Sequence, residues 1–204
     1  NTTDFRNTIK LFFFLYKYNG VILKKRGIEM PGFTIHLAIA NEYAKKNKEK
    51  VKNMNEFLEG TIAPDYIFLT NQDISKNITH YGKWGDWTTN DQEIYFDKFL
   101  EDSKVDLQND YWKGYFLHLL ADYYFGRKYF DEEMRKAKEN NDKFYNDYDC
   151  TNKELIERYD IIIIDKIKKY MSCIEEKPKY LKIDKVNKFI EDMANLNLEE
   201  QVEI

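Results

Sequence analysis

The stretch KGYFLHLLADYYFGRKYF, residues 113–130, leaves few folds open to this chain. It belongs to a run, 110–130, that is apolar on nearly every helical face, and such a helix must be covered on all sides. Only 3 Pro and 8 Gly punctuate the 204 residues, which favours long helices over a turn-rich β fold. The expected architecture is all-α: a single compact helical domain around a buried central helix. The same run carries His118 and Asp122, four residues apart and therefore one turn apart on one face. An ionisable pair in a core is paired, neutralised or bound to a metal, because a buried charge without a partner is costly.

The remaining elements follow from periodicity and caps. Thr34 is a predicted N-cap for a helix to about residue 47, with Ile35, Ile39, Ala40, Tyr43 and Ala44 inward. A short helix is expected over 53–59, stopped by Gly60. Pro64 then restricts Ala63 to extended geometry and places Asp65 at a turn or helix start. Residues 70–89, with Gly82, Trp84, Gly85 and Trp87, read as a long loop of the kind that often carries function. A helix is expected over 91–101, with Ile94, Tyr95, Phe99 and Leu100 on its apolar side. Thr151 and Glu154 match a capping box that opens a helix to about residue 174, burying Leu155, Tyr159, Ile162, Ile163, Ile167, Tyr170, Met171 and Ile174. A last amphipathic helix spans 184–196, with Val186, Phe189, Ile190 and Met193 inward.

Charged residues cancel to a net −4, so no basic excess advertises a nucleic-acid groove. Cys150 and Cys173 form no CxxC motif, and two reduced thiols in or near a core are expected. The N-terminal IKLFFFLYKYNGVIL is interrupted by Lys17, Asn19 and Gly20, short of the ~20 apolar residues a transmembrane helix needs. It lacks a small-x-small cleavage site. The run KKRGIEM reads as purine-rich codons ahead of a start. Met30 is therefore the expected start, with 1–29 an N-terminal extension or translated leader, 30–204 the helical domain, and a cytoplasmic location.

His118 and Asp122 have Tyr111, Gly114, Tyr115 and Phe125 sharing or bordering their face, and Gly114 would let another backbone approach closely. A His-x-x-x-Asp pair supplies an imidazole and a hard carboxylate suited to one transition-metal ion, or to a carboxylate bridging two. Taken alone, the pair more often describes a hydrogen bond inside a core. The other two histidines weigh on that choice. His36 in GFTIHLAIA, His80 in NITHYG and Asp65 in GTIAPDYIF all sit in apolar or aromatic surroundings. Their convergence on one cavity would give each buried group a partner. A mixed His/Asp shell favours zinc, with manganese or iron as alternatives.

The series MPGFTIHLAIA, FLEGTIAPDYI, NITHYG and GYFLHLLADYYF resembles the bacterial zinc-dependent phospholipase C family, which shares an all-α fold with the zinc-dependent single-strand nucleases. The resemblance covers about residues 30–130. It implies that Asp65, His80, His118 and Asp122 hold one zinc ion, and that His36 and a bridging Asp122 hold a second. It implies that Asp65 also helps to activate the attacking water. Tyr66 aligns with a position lining the substrate headgroup pocket, although core packing describes it equally. The chain departs from the family in two places. No tryptophan precedes His36, and no histidine follows His118 to build a third metal position, where Asp131, Glu132 or Glu133 could contribute although no spacing demands it. A mononuclear or dinuclear site is therefore expected.

The resulting expectation is a zinc-dependent phosphoric ester hydrolase, phospholipase C-like, that attacks a phosphodiester with metal-activated water. Its substrate would be a small phosphoester or a lipid headgroup. The alternatives are a nuclease-like phosphodiesterase on nucleotides and a non-catalytic, metal-stabilised helical binding domain. Trp84 and Trp87 read as an aromatic lip or, more simply, as packing. No serine sits in a Gly-x-Ser-x-Gly elbow, and no glycine-rich phosphate loop appears.

Overall fold

A computed structural model of the chain describes residues 31–71, 73–84, 93–103, 106–139 and 144–203. The expectations for 1–29 and for Gly85 and Trp87 lie outside the described residues. The described chain is helical, with one pair of two-residue strands.

Helix α1 (Phe33–Lys46) starts one residue before the expected cap. Gly32 takes that place, its carbonyl accepting from the amides of Ile35 at 2.8 Å and His36 at 3.3 Å. Thr34 is instead buried inside the first turn. Helix α2 (Met54–Thr70) is capped by Asn53, whose side chain accepts from the Glu56 amide at 3.3 Å. It does not stop at Gly60 and does not break at Pro64. Proline has no N–H to return to the carbonyl of Gly60, a loss worth about 3 kcal/mol in an exposed helix. Here Phe57, Leu58, Ile62 and Ala63 are buried around it and hold the helix together. Asp65 consequently projects from a helix rather than a turn.

The segment expected as a loop contains α3 (Lys76–Thr79) and β1 (Gly82–Lys83). Strand β1 pairs antiparallel with β2 (Glu93–Ile94), Gly82 facing Ile94 and Lys83 facing Glu93. Ile94 is thus in a strand, and α4 (Phe96–Ser103) begins after it. Between α3 and β1, Tyr81 adopts φ 49°, a left-handed turn that aims the chain back after His80.

Helix α5 (Asp110–Tyr124) is the buried central helix, and a single π-helical turn, Phe125–Tyr129, continues it. Asn109 caps it by accepting from Tyr111 and Trp112. Asp110 pins the start of α2 to the start of α5. It accepts from the amides of Lys52 at 2.8 Å and Asn53 at 2.5 Å and pairs with Lys113 at 2.8 Å. From that pin the two helices run side by side in the same sense, the most extensive helix contact among the described residues. Two glycines allow it. A Cβ on Gly60 would run into the Tyr111 carbonyl, and one on Gly114 into the Phe57 carbonyl. Helix α1 packs across both.

The capping-box expectation fails. Helix α6 (Glu132–Glu139) is followed by α7 (Phe144–Tyr159), and Thr151 lies inside α7, donating its hydroxyl to the Tyr148 carbonyl at 2.9 Å. Helix α7 ends where Asp160 takes φ 48°. Its last carbonyls, Tyr159 and Asp160, are taken by the Asn41 amide of α1. The four isoleucines 161–164 form neither helix nor strand; Ile162 is 53% exposed rather than inward. A 3-10 turn, Asp165–Tyr170, follows and buries Ile167. Helix α8 (Ile183–Ala194) buries Val186, Phe189, Ile190 and Met193 as expected. Both cysteines are free, with Cys150 half-buried and Cys173 exposed, so Cys173 lies outside the core. Among the described residues no helix is long and apolar enough to cross a membrane.

Candidate metal centre

Five ionisable side chains from four places in the sequence meet in the interior: His36 from α1, Asp65 from α2, His80 at the end of α3, and His118 and Asp122 from α5. Each is 1% exposed or less. These are the five residues expected to bind a metal. Helix spacing explains part of the convergence. Thr61 lies one turn before Asp65, and its carbonyl meets His118, so α2 and α5 present Asp65 and His118 at one level.

Four atoms at the centre stand close together. His118 Nε2 is 3.2 Å from His80 Nε2. His80 Nε2 is 3.3 Å from Asp65 Oδ1 and 3.3 Å from Asp122 Oδ2. His118 Nε2 is 3.5 Å from Asp122 Oδ2. A tetrahedral zinc shell with bonds of about 2.0–2.1 Å has ligand-to-ligand edges of about 3.3–3.4 Å. Four of the six edges of such a shell are therefore already formed. On the other side of Asp122, Oδ1 lies 3.3 Å from His36 Nε2, and the His36 ring stacks on His118 at 3.9 Å.

The far nitrogens of two rings settle their orientation. His118 Nδ1 is 2.8 Å from the Thr61 carbonyl, which only accepts, so Nδ1 carries a proton and Nε2 points inward. His80 Nδ1 is 2.8 Å from Thr79 Oγ1, and that hydroxyl also reaches the Lys76 carbonyl at 3.4 Å. If the hydroxyl donates to the carbonyl, it accepts from His80 Nδ1–H, and His80 Nε2 is left bare. Outer partners of this kind fix the tautomer of metal-binding histidines.

The protein's own hydrogen bonds leave this cluster unsatisfied. Both nitrogens of His36, Asp65 Oδ2 and both oxygens of Asp122 are buried without a hydrogen bond. Nearly all buried polar atoms in proteins have a partner, so five orphans in one cluster call for a ligand. The electrostatics agree. Burial, aided by Lys76, pushes His80 down to about 4, and burial with the neighbouring His118 lowers His36. Burial alone would raise the two carboxyls, but Lys76 and His80 hold Asp65 below the usual range, and His118 and His36 hold Asp122 well below it. Burial also lowers His118, yet Asp122 outweighs it and the net shift is upward. Two carboxylates and the neutral imidazoles of His36 and His80 are the states that a hard-to-borderline cation requires, while His118 gives up a proton to join them.

Other candidates fall elsewhere. Tyr66 is half-buried, with its ring edge-on to Tyr170 at 6.3 Å. Trp84 packs edge-on against His80 at 4.7 Å, and Trp87 lies outside the described residues. Asp131 pairs with Lys185, Glu133 with Lys182 and Glu132 with Lys136, so none of these joins the cluster. Lys76, Thr79 and Thr61 escaped the sequence reading. Lys76 is 7% exposed with Nζ 3.5 Å from Asp65 Oδ1. Its only signal in the sequence is its place four residues before His80. No family model, curated protein or solved structure matches the chain.

Proposed function

We propose that the chain is a metal-dependent hydrolase of phosphoesters, acting on phosphodiesters in the manner of the zinc-dependent phospholipase C family it resembles. The observation that carries this reading is the set of four inward atoms, His80 Nε2, His118 Nε2, Asp65 Oδ1 and Asp122 Oδ2, at the spacing of a tetrahedral zinc shell. A divalent ion held there would have to take water or a phosphoryl oxygen as a further ligand beyond the four protein atoms, and in that position it would make water acidic enough to attack near neutral pH.

The chain's own groups do the rest. His80 and His118, locked by Thr79 and the Thr61 carbonyl, hold fixed lone pairs toward the centre. Asp65 Oδ2, buried and without a hydrogen bond, is free to orient the attacking water and take its proton. Apolar walls from α1, α2 and α5 exclude bulk water and strengthen each of these interactions. His36 and Asp122 Oδ1 offer a second, sparser position beside the first. In this reading Tyr66 lines the headgroup side of the site. A small phosphoester or lipid headgroup is the substrate class, since the net charge of −4 does not favour a long polyanion. Two free thiols fit a reducing compartment, and we place the protein in the cytoplasm.

The test is metal content by mass spectrometry on protein purified without chelator, beside a His118→Ala/Asp122→Ala variant. About one equivalent of zinc, lost in the variant, together with hydrolysis of a chromogenic phosphodiester that the variant lacks, is the expected result. A wild type that neither contains nor takes up zinc, while the variant folds equally well, would reduce the cluster to a core hydrogen-bond network. Zinc without hydrolysis would leave a metal-stabilised binding domain.

A further inference from the structure

Lys76 is the one buried cation that touches the cluster among the described residues. Its Nζ stands 3.5 Å from Asp65 Oδ1, beyond the 2.7–2.9 Å typical of a charged hydrogen bond. Its other neighbour is the face of Trp84, 4.3 Å away. The ammonium makes no hydrogen bond to any described residue. An ammonium carries three donors, and the small part of Lys76 that reaches solvent leaves them open to a ligand.

Charge points the same way. Asp65 and Asp122 together offset one divalent ion, and the imidazoles are neutral, so Lys76 leaves the loaded site with one positive charge. A phosphodiester carries one negative charge and has two non-bridging oxygens, one for the ion and one for a donor beside it.

We infer that Lys76 is a substrate-binding residue whose ammonium, held over Trp84, takes a non-bridging phosphoryl oxygen next to the metal position. This rests on the metal-dependent reading above. It adds that selectivity for an anionic phosphoryl group comes from a protein cation rather than from the metal alone.

The experiment titrates inorganic phosphate into the zinc-loaded full chain by calorimetry, for wild type, Lys76→Met and Lys76→Arg, with zinc content and circular dichroism measured on the same samples. All three are expected to keep zinc. Lys76→Met should bind phosphate about tenfold or more weakly, the scale of one hydrogen bond to a charged group. Lys76→Arg, which keeps the charge, should retain most of the affinity. Equal affinity in Lys76→Met with zinc retained overturns the assignment of Lys76 and leaves the metal reading standing. The same holds if the zinc-loaded wild type does not bind phosphate. Loss of zinc in Lys76→Met but not in Lys76→Arg makes Lys76 a neutraliser of Asp65, which also overturns it. Should Lys76→Met fail to fold, Lys76→Gln is judged by the same outcomes. A wild type that takes up no zinc removes the metal reading, and this inference with it.

Discussion

His80 Nε2 and His118 Nε2 face each other at 3.2 Å, with neither ring reaching solvent. Once His118 gives up its inner proton, the two imidazoles aim two lone pairs at one point. Without a metal, the proton that Asp122 favours on His118 fills that space; with one, both lone pairs serve it. The arrangement depends on what holds the far side of each ring. Thr79→Val keeps the shape of the side chain and removes the hydroxyl that hydrogen-bonds to His80 Nδ1. Zinc affinity should fall about 10- to 100-fold, the usual effect of losing an outer partner of a metal-binding histidine. Competition with a chromophoric chelator measures it. Unchanged affinity would mean that His80 is oriented by packing against Trp84 alone.

The two triads His36/His118/Asp122 and Asp65/His80/His118 both use His118. Its Nδ1 is committed to the Thr61 carbonyl, so only Nε2 remains, and one nitrogen serves one ion. One position is therefore complete, and the second has only His36 and Asp122 Oδ1. Zinc titration should show one tight equivalent that survives dialysis in His36→Ala and disappears in His118→Ala. Two tight equivalents in wild type, with one lost in His36→Ala, would call for a further donor beside His36.

The metal-free protein should be sensitive to acid. His80 has its pKa lowered from 6.5 to about 4. Its contribution to stability is full above the unfolded value, where neither state holds the proton. As pH falls from about 6.5 to about 4, the unfolded chain takes up a proton that the folded chain refuses, and up to about 3 kcal/mol is lost. His36, also lowered, acts in the same direction. His118, raised, opposes them, since its contribution is present below pH 6.5 and fades as pH rises through its folded value. The comparison of wild type with His80→Gln isolates one residue. Urea midpoints of chelator-treated protein at pH 7 and pH 4.5 should converge more in His80→Gln than in wild type, and parallel shifts would show that His80 accepts a proton freely.

The five donors are legible because histidine and aspartate stand out against apolar neighbours, and their burial without partners makes sense only if they meet. The buried central helix is legible for the same reason, as a run with no polar face. Lys76 is not, since one lysine among many is marked only by the burial that tertiary packing imposes. Gly60 and Pro64 look like a helix stop followed by a bend, yet helix α2 passes through both. What local propensity disfavours, the packing of Phe57 and Ile62 against α5 outweighs. Thr151 and Glu154 copy the pattern of a capping box inside α7, and the end of that helix is set instead by Asn41, over a hundred residues away in sequence.

The paired glycines give the sharpest test of how the fold builds the site. A glycine inside a helix ordinarily weakens it, and replacement by alanine would stabilise by about 1 kcal/mol. At Gly60 and Gly114 the sign should reverse. The added methyl on Gly60 would meet the Tyr111 carbonyl, and that on Gly114 the Phe57 carbonyl and the Thr61 amide. Both obstacles are backbone, so α2 and α5 must separate rather than a side chain rotate. Gly114→Ala should cost about 1–3 kcal/mol of stability, the range for overpacked cores. Because Asp65 rides on α2 while His118 and Asp122 ride on α5, the separation should also widen the donor shell and weaken zinc binding. Denaturant unfolding of the metal-free protein and zinc affinity of the folded protein measure the two effects separately. A Gly114→Ala protein as stable as wild type, with zinc affinity unchanged, would show that the helices tolerate a wider spacing and that their close contact does not set the geometry of the site.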